Sequence, residues 1–206
     1  MNNKFKTLII FIFVIFTSYI LLYKNESKVL YQNDAEKFAY YFYENYLENI
    51  YLKKPDQTHI GFSLGSKGYY ELDSQTYDKF LLESDFFTKS FIEEEHKKID
   101  FCNNSLKSVK VEEVKVSGAH PADFVDNGSC GFLFYFTWVG GQGESLNHVS
   151  VLKSTIKENN ATVWMALGYK ESNRKDSYDF SYPIVYLVKE SNSWKIDKIE
   201  LSERNN

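Results

Sequence analysis

The first patterned stretch of the chain is apolar on every side. From Thr7 to Tyr23 it reads TLIIFIFVIFTSYILLY, with no charged residue. As a helix rising about 1.5 Å per residue it would measure about 26 Å, slightly under a hydrocarbon core of about 30 Å. Lys4 and Lys6 precede it, a bias that keeps the N-terminal end in the cytoplasm and passes the remainder across. The pattern predicts a cytoplasmic stub at 1–6 and a transmembrane anchor at 7–23. A cleaved signal and a buried core helix are the alternatives. Cleavage wants small residues at −3 and −1, but Ser18 is preceded there by Phe16 and Ser27 by Asn25. No Cys lies near the end of the run, which excludes a lipid-modified bacterial N-terminus.

A polar linker at 24–33 leads into amphipathic patterning. Asn33 and Glu36 read as a capping box. Ala35, Phe38, Ala39, Phe42, Tyr43, Tyr46, Leu47 and Ile50 then follow the i, i+3, i+4 rhythm of a helix that stops near Lys53-Lys54, before Pro55. Residues 55–72 read as loop. Ser74 is placed as the cap of a second helix with Tyr77, Phe80 and Leu81 inward. A third helix, from about Asp85 to Lys98, turns Phe87, Phe91 and Ile92 to the core. Its run Glu93 to Lys98, His96 included, reads as a solvated face.

Beyond Leu106 the period shortens to two. Val109 and Val111, then Val114 and Val116, predict a bulged strand. Gly131 to Val139 (GFLFYFTWV) fits a central strand. Val149–Ile156, Ala161–Tyr169, Pro183–Lys189 and Ser193–Leu201 follow, with hairpin turns at 157–160 and 190–192. Trp194 and Ile196 against Ile199 and Leu201 mark another slip of phase. Helices first and hairpin strands afterwards imply an α+β domain at 34–206, with about three helices on one curved antiparallel sheet of five or six strands.

Charge narrows the partners. Of 24 basic residues, Lys4, Lys6 and Lys24 lie in the first 24 positions, which hold no acid. The rest therefore carries 21 basic against 28 acidic residues, a net of −7. Nucleic acid would select the opposite sign. An aromatic fraction of 17% marks a folded chain.

Cys102 and Cys130 are the two cysteines. In an exported chain they read as one disulfide, with free buried thiols as the alternative. Asn-x-Ser/Thr triplets at Asn25, Asn103, Asn127 and Asn160 matter only in a eukaryotic secretory route.

Several patches resemble a known superfamily. They are Phe42 to Leu47, Phe101-Cys102, Ala161 to Gly168, and Tyr186 to Ile196 with its strand, acidic turn and Trp194-Lys195-Ile196. Together they resemble the nuclear-transport-factor-2-like cone, in its uncharacterised bacterial envelope branch. The region 118–148 fits it poorly. The resemblance implies a sheet curved around a pocket that helices close. The superfamily holds isomerases, dehydratases, assembly modules and proteins without activity, so it assigns no function.

An isomerase of that kind needs a carboxylate base and an oxyanion donor in the cone. Asp100 and Asp123, and Tyr135, Tyr169 and Tyr186, are the available groups, and no pairing among them is specified. His120-Pro121-Ala122-Asp123 reads as a turn, His59 and His148 lack ligand partners at useful spacing, and Gly140-Gly141-Gln142-Gly143 lacks the residues of a phosphate loop. No catalytic, cofactor-binding or metal residue is assigned, and no cofactor is implied. The expectation is a membrane-tethered, extracytoplasmic, non-catalytic module binding another envelope protein through the open face of its sheet, its net acidic charge suiting a basic partner. An accessory or immunity role is one version of it. A carrier or enzyme using the cone pocket is the alternative.

Overall fold

The computed structural model describes residues 30–65, 67–125, 130–131, 138–140, 146–171 and 177–202. The stub, the apolar segment 7–23, most of the linker, Tyr135 and most of the expected strand at 131–139 lie outside them. Among the described residues no helix is long and apolar enough to cross a membrane.

Helix α1 (Asp34–Asn45) opens on Asn33, whose side chain accepts the Glu36 N–H at 2.9 Å. Glu36 does not complete the expected capping box. Its carboxylate takes the Gln32 N–H at 2.5 Å and the Ser154 hydroxyl at 2.7 Å, while the Asn33 amide donates to Ser154 at 3.0 Å. Glu36 is buried, and its donors are the Gln32 N–H and Ser154 of the sheet rather than the Asn33 N–H. Glu36→Ala would remove the acceptor of the exposed Gln32 N–H and the half-buried Ser154 hydroxyl, at a cost of about 1–2 kcal/mol; denaturant unfolding measures it.

The helix continues as a wider π-turn, Tyr46–Tyr51, with the Leu52 N–H on the Leu47 carbonyl at 3.1 Å. The extra residue in the turn brings Tyr46, Leu47, Ile50 and Tyr51 all inside. It ends before Pro55, which starts a 3-10 turn to Thr58.

The stretch expected as loop forms an antiparallel hairpin, β1 (Gly61–Leu64) with β2 (Tyr70–Asp73). The Asn103 side chain accepts the Leu72 N–H at 2.7 Å and pins this hairpin to the helix Lys89–Leu106, a contact 31 residues away in sequence. Helix α2 (Gln75–Glu83) buries Tyr77 and Leu81. Helix α3 (Lys89–Leu106) starts at Thr88, whose hydroxyl accepts the Phe91 N–H at 3.0 Å. It begins later and runs further than expected, because Ile99, Cys102 and Leu106 continue its buried stripe.

The expected bulged strand at 109–116 is instead a helix, α4 (Val111–Ser117). Its ends decide the matter. Glu112 and Glu113 lie in the first turn, Lys115 in the last, and Gly118 closes it at φ 65°, a conformation that favours glycine. Four α-helices are therefore described where about three were expected.

Strands β3 (His148–Lys157), β4 (Asn160–Lys170), β5 (Ser177–Glu190) and β6 (Ser193–Ser202) form one antiparallel sheet in sequence order. The expected single sheet is thus two, one of four strands and one of two. Both expected hairpin turns are present, with Glu158, Ser191 and Asn192 at positive φ. Each strand pair carries a register shift, at Val151/Lys153, Leu167/Gly168 and Tyr186/Leu187. The last matches the slip between Trp194-Ile196 and Ile199-Leu201.

Candidate functional site

Val163, Met165, Val185, Leu187 and Ile196 project from the sheet toward the helices and are fully buried. Helix α1 crosses β3 and β4, and α3 packs on β6. The space between is filled by rings. Trp138 is 3% exposed, with Tyr46 and Phe87 centred 5.2 Å away and Phe42, Tyr77, Phe80 and Phe91 centred 5.9–6.1 Å away. The Tyr43 hydroxyl donates to the Trp138 carbonyl at 2.9 Å, locking the turn at 138–140 onto α1. Gly140 stands at φ 66° there, a conformation that favours glycine.

Among the described residues two buried carboxylates, Glu36 and Glu95, enter this interior, and both are engaged. Glu36 is held as described above. Glu95 is 5% exposed, accepts the Tyr77 hydroxyl at 2.6 Å and pairs with Lys98 at 2.5 Å. The expected solvated run at 93–98 is corrected here: Glu95 lies on the buried stripe of α3 with Phe91 and Ile99, and Tyr77 supplies the donor that makes burial tolerable.

Burial pushes the Tyr43 and Tyr77 hydroxyls well above the usual phenol range, with Glu95 adding to the effect at Tyr77. Burial likewise raises Tyr46. Tyr40 is pushed up to about 12, by burial first and Glu44 next. These phenols hold their protons more tightly folded than unfolded, so their contribution is complete below pH 10 and is lost as pH rises past it. Alkaline unfolding is expected above pH 10, with the buried tyrosines ionising together with the loss of ellipticity. Tyrosine absorbance and circular dichroism, followed in one titration, check this; a smooth titration of all tyrosines near pH 10 with the fold intact would contradict it.

The remaining sequence candidates are dispersed. Cys102 and Cys130 form the disulfide, with Cα atoms 4.9 Å apart. Asp100 is an exposed residue of α3. Asp123 accepts the His120 N–H at 2.9 Å at the head of a 3-10 turn, Pro121–Phe124. Tyr186 donates to Glu200 at 2.7 Å. Among the described residues no three His, Cys, Asp or Glu side chains gather as a metal site.

The helix-free face of the sheet carries a surface that register alone assembles. Lys153, Trp164, Ile184 and Glu200 lie in one cross-strand row, and Thr155, Thr162, Tyr186 and Lys198 in the next. The Lys153 ammonium sits 4.6 Å from the Trp164 ring and that of Lys198 5.7 Å from the Tyr186 ring. Lys198 also pairs with Glu200 at 2.5 Å. The Tyr186 phenol is raised mainly by its bond to Glu200, and the Glu200 carboxyl is lowered by Lys198 first and Tyr186 next. The result is a half-exposed aromatic and aliphatic platform flanked by charge. Such a face can stack and exclude water, while its carboxylate and phenol are spent on each other.

A second concavity, of about 430 Å³, lies where the head of α1 meets the α2–α3 turn and the β5–β6 hairpin. Phe38, Phe86 and Trp194 form its apolar walls, with Asp34, Lys37, Asp85 and Lys195 on its rim. Lys195 bonds both the carbonyl and the carboxylate of Asp85. Its lining holds no histidine and no cysteine, so it offers no imidazole base or thiol nucleophile. Neither surface was legible locally, because each joins segments tens of residues apart.

No protein family, curated protein or solved structure matches this chain.

Proposed function

We propose that this chain is a membrane-tethered, extracytoplasmic, non-catalytic module that binds a protein partner through the helix-free face of its sheet. In this reading residues 7–23 are the tether, and the domain is a cone-like member of the nuclear-transport-factor-2-like superfamily. The observation that carries the reading is the filled interior. With Trp138 and six rings occupying the space behind the sheet, recognition falls to the outside. The Trp164–Ile184–Tyr186 platform is the outer surface with the aromatic and cationic composition that interfaces favour. The disulfide suits an oxidising compartment.

The test is photo-crosslinking of the full chain in its own membranes, with a reactive residue in place of Thr162. A discrete adduct that disappears with Trp164→Ser, and a domain reached by reagents outside the cell with Cys102 and Cys130 oxidised, would support the reading. A chain found soluble inside the cell with both thiols reduced would overturn it.

A further inference from the structure

We propose that the exposed apolar patch of Leu30, Tyr31, Tyr41 and Leu152 is a membrane seat, resting on the headgroup layer of the bilayer that holds the tether. The inference depends on the tethered reading above and adds how the domain lies on its membrane.

Leu30 and Leu152 are 47% and 54% exposed and stand on the edge of one concavity beside the bulge of β3, whose floor also holds the polar Gln32, Glu36, Lys153 and Ser154. Tyr31 continues the patch across the head of α1. Its ring centre is 5.8 Å from that of Tyr41, itself 47% exposed, and their hydroxyls are 3.3 Å apart. Lys37 lies over the Tyr31 ring at 6.0 Å. Tyrosine, leucine and lysine together are the chemistry of the bilayer interface, where an amphipathic ring sits with its hydroxyl toward water.

Chain length chooses the occupant. Lys24 to Val29 is all that separates Tyr23 from Leu30, so Leu30 can stand at most about 25 Å from the end of the apolar segment. The headgroup layer itself extends about 5–8 Å beyond the hydrocarbon. The exit of the chain is also fixed in direction. Gln32 and Asn33 are bonded through Glu36 and Ser154 to β3, which sets Leu30 beside Leu152. A patch this close to the surface meets it at high effective concentration, and weak apolar contacts then suffice. The domain's net −7 charge opposes attraction to anionic lipid, so the seat is apolar in character and insensitive to salt.

The test places the full chain in phosphatidylcholine vesicles doped with a lipid carrying a photoactivatable group near its glycerol. Flotation first reports insertion. Lipid adducts are then expected on peptides covering 30–41 and 150–154 and not on Phe101, which is 61% exposed on α3. They are expected to fall at least fivefold with Leu30→Ser/Leu152→Ser and to persist in 0.5 M salt. A chain that floats with the vesicles yet shows adducts spread equally over Phe101, or confined to 7–23, would overturn the seat and leave the tether standing. A chain that does not float would overturn both.

Discussion

Trp138→Ala is expected to cost about 3–5 kcal/mol, the range for removing a large aromatic side chain from a core that cannot collapse around the gap. Six rings surround the indole, from α1, the π-turn, α2, the α2–α3 connection and α3. No single element can close over the space without breaking its contacts to the others. The Tyr43 hydroxyl is bonded to the Trp138 main chain, so the turn itself stays placed and the loss reports packing alone. Urea unfolding measures it; Trp164→Ala, on the outer face, serves as the comparison and is expected to cost less than half as much.

Loss of the Cys102–Cys130 bond is the next largest effect. The bond spans 28 residues of sequence and restricts the unfolded chain, which in the loop-entropy treatment is worth about 3–4 kcal/mol. It also ties Cys130 to the C-terminal part of α3, the helix that carries Phe91 of the aromatic cluster. Cys102→Ala/Cys130→Ala, compared with the oxidised chain by thermal unfolding, is expected to lower stability by that amount. A change under 1 kcal/mol would mean that α3 and the 138–140 turn hold each other without help.

The parts of the fold that could be read from sequence are those whose signal is local. Helix α1 follows from a regular apolar stripe, and β3 to β6 follow from alternation between turns that tolerate positive φ. The errors have definite causes. The four valines between 109 and 116 argued for a strand, yet the charges at each end and Gly118 fit a helix, and termini decided over propensity. The hairpin at 61–73 is short and glycine-bearing, and it depends on Asn103 of α3, which no local pattern shows. Glu95 looked solvated because its neighbours are charged, but its position four residues from Phe91 and Ile99 places it inside. The outer platform arises from the register of three strand pairs, and the exposed patch beside it from a bulge at Leu152 meeting residues 30–31. Such surfaces become visible only once the sheet is assembled.

The claim on which the proposed function rests is that, among the described residues, rings fill the space behind the sheet, and indole binding tests it most directly. Wild type is expected to show no saturable heat of binding and no rise in melting temperature with indole. Trp138→Ala is expected to take up indole in the vacated space and regain about 1.4 kcal/mol at ten times the dissociation constant. Saturable stabilisation of the wild-type chain by indole that persists in Trp194→Ser, where the concavity of Phe38, Phe86 and Trp194 is altered, would contradict the account, since it would place an open apolar pocket behind the sheet.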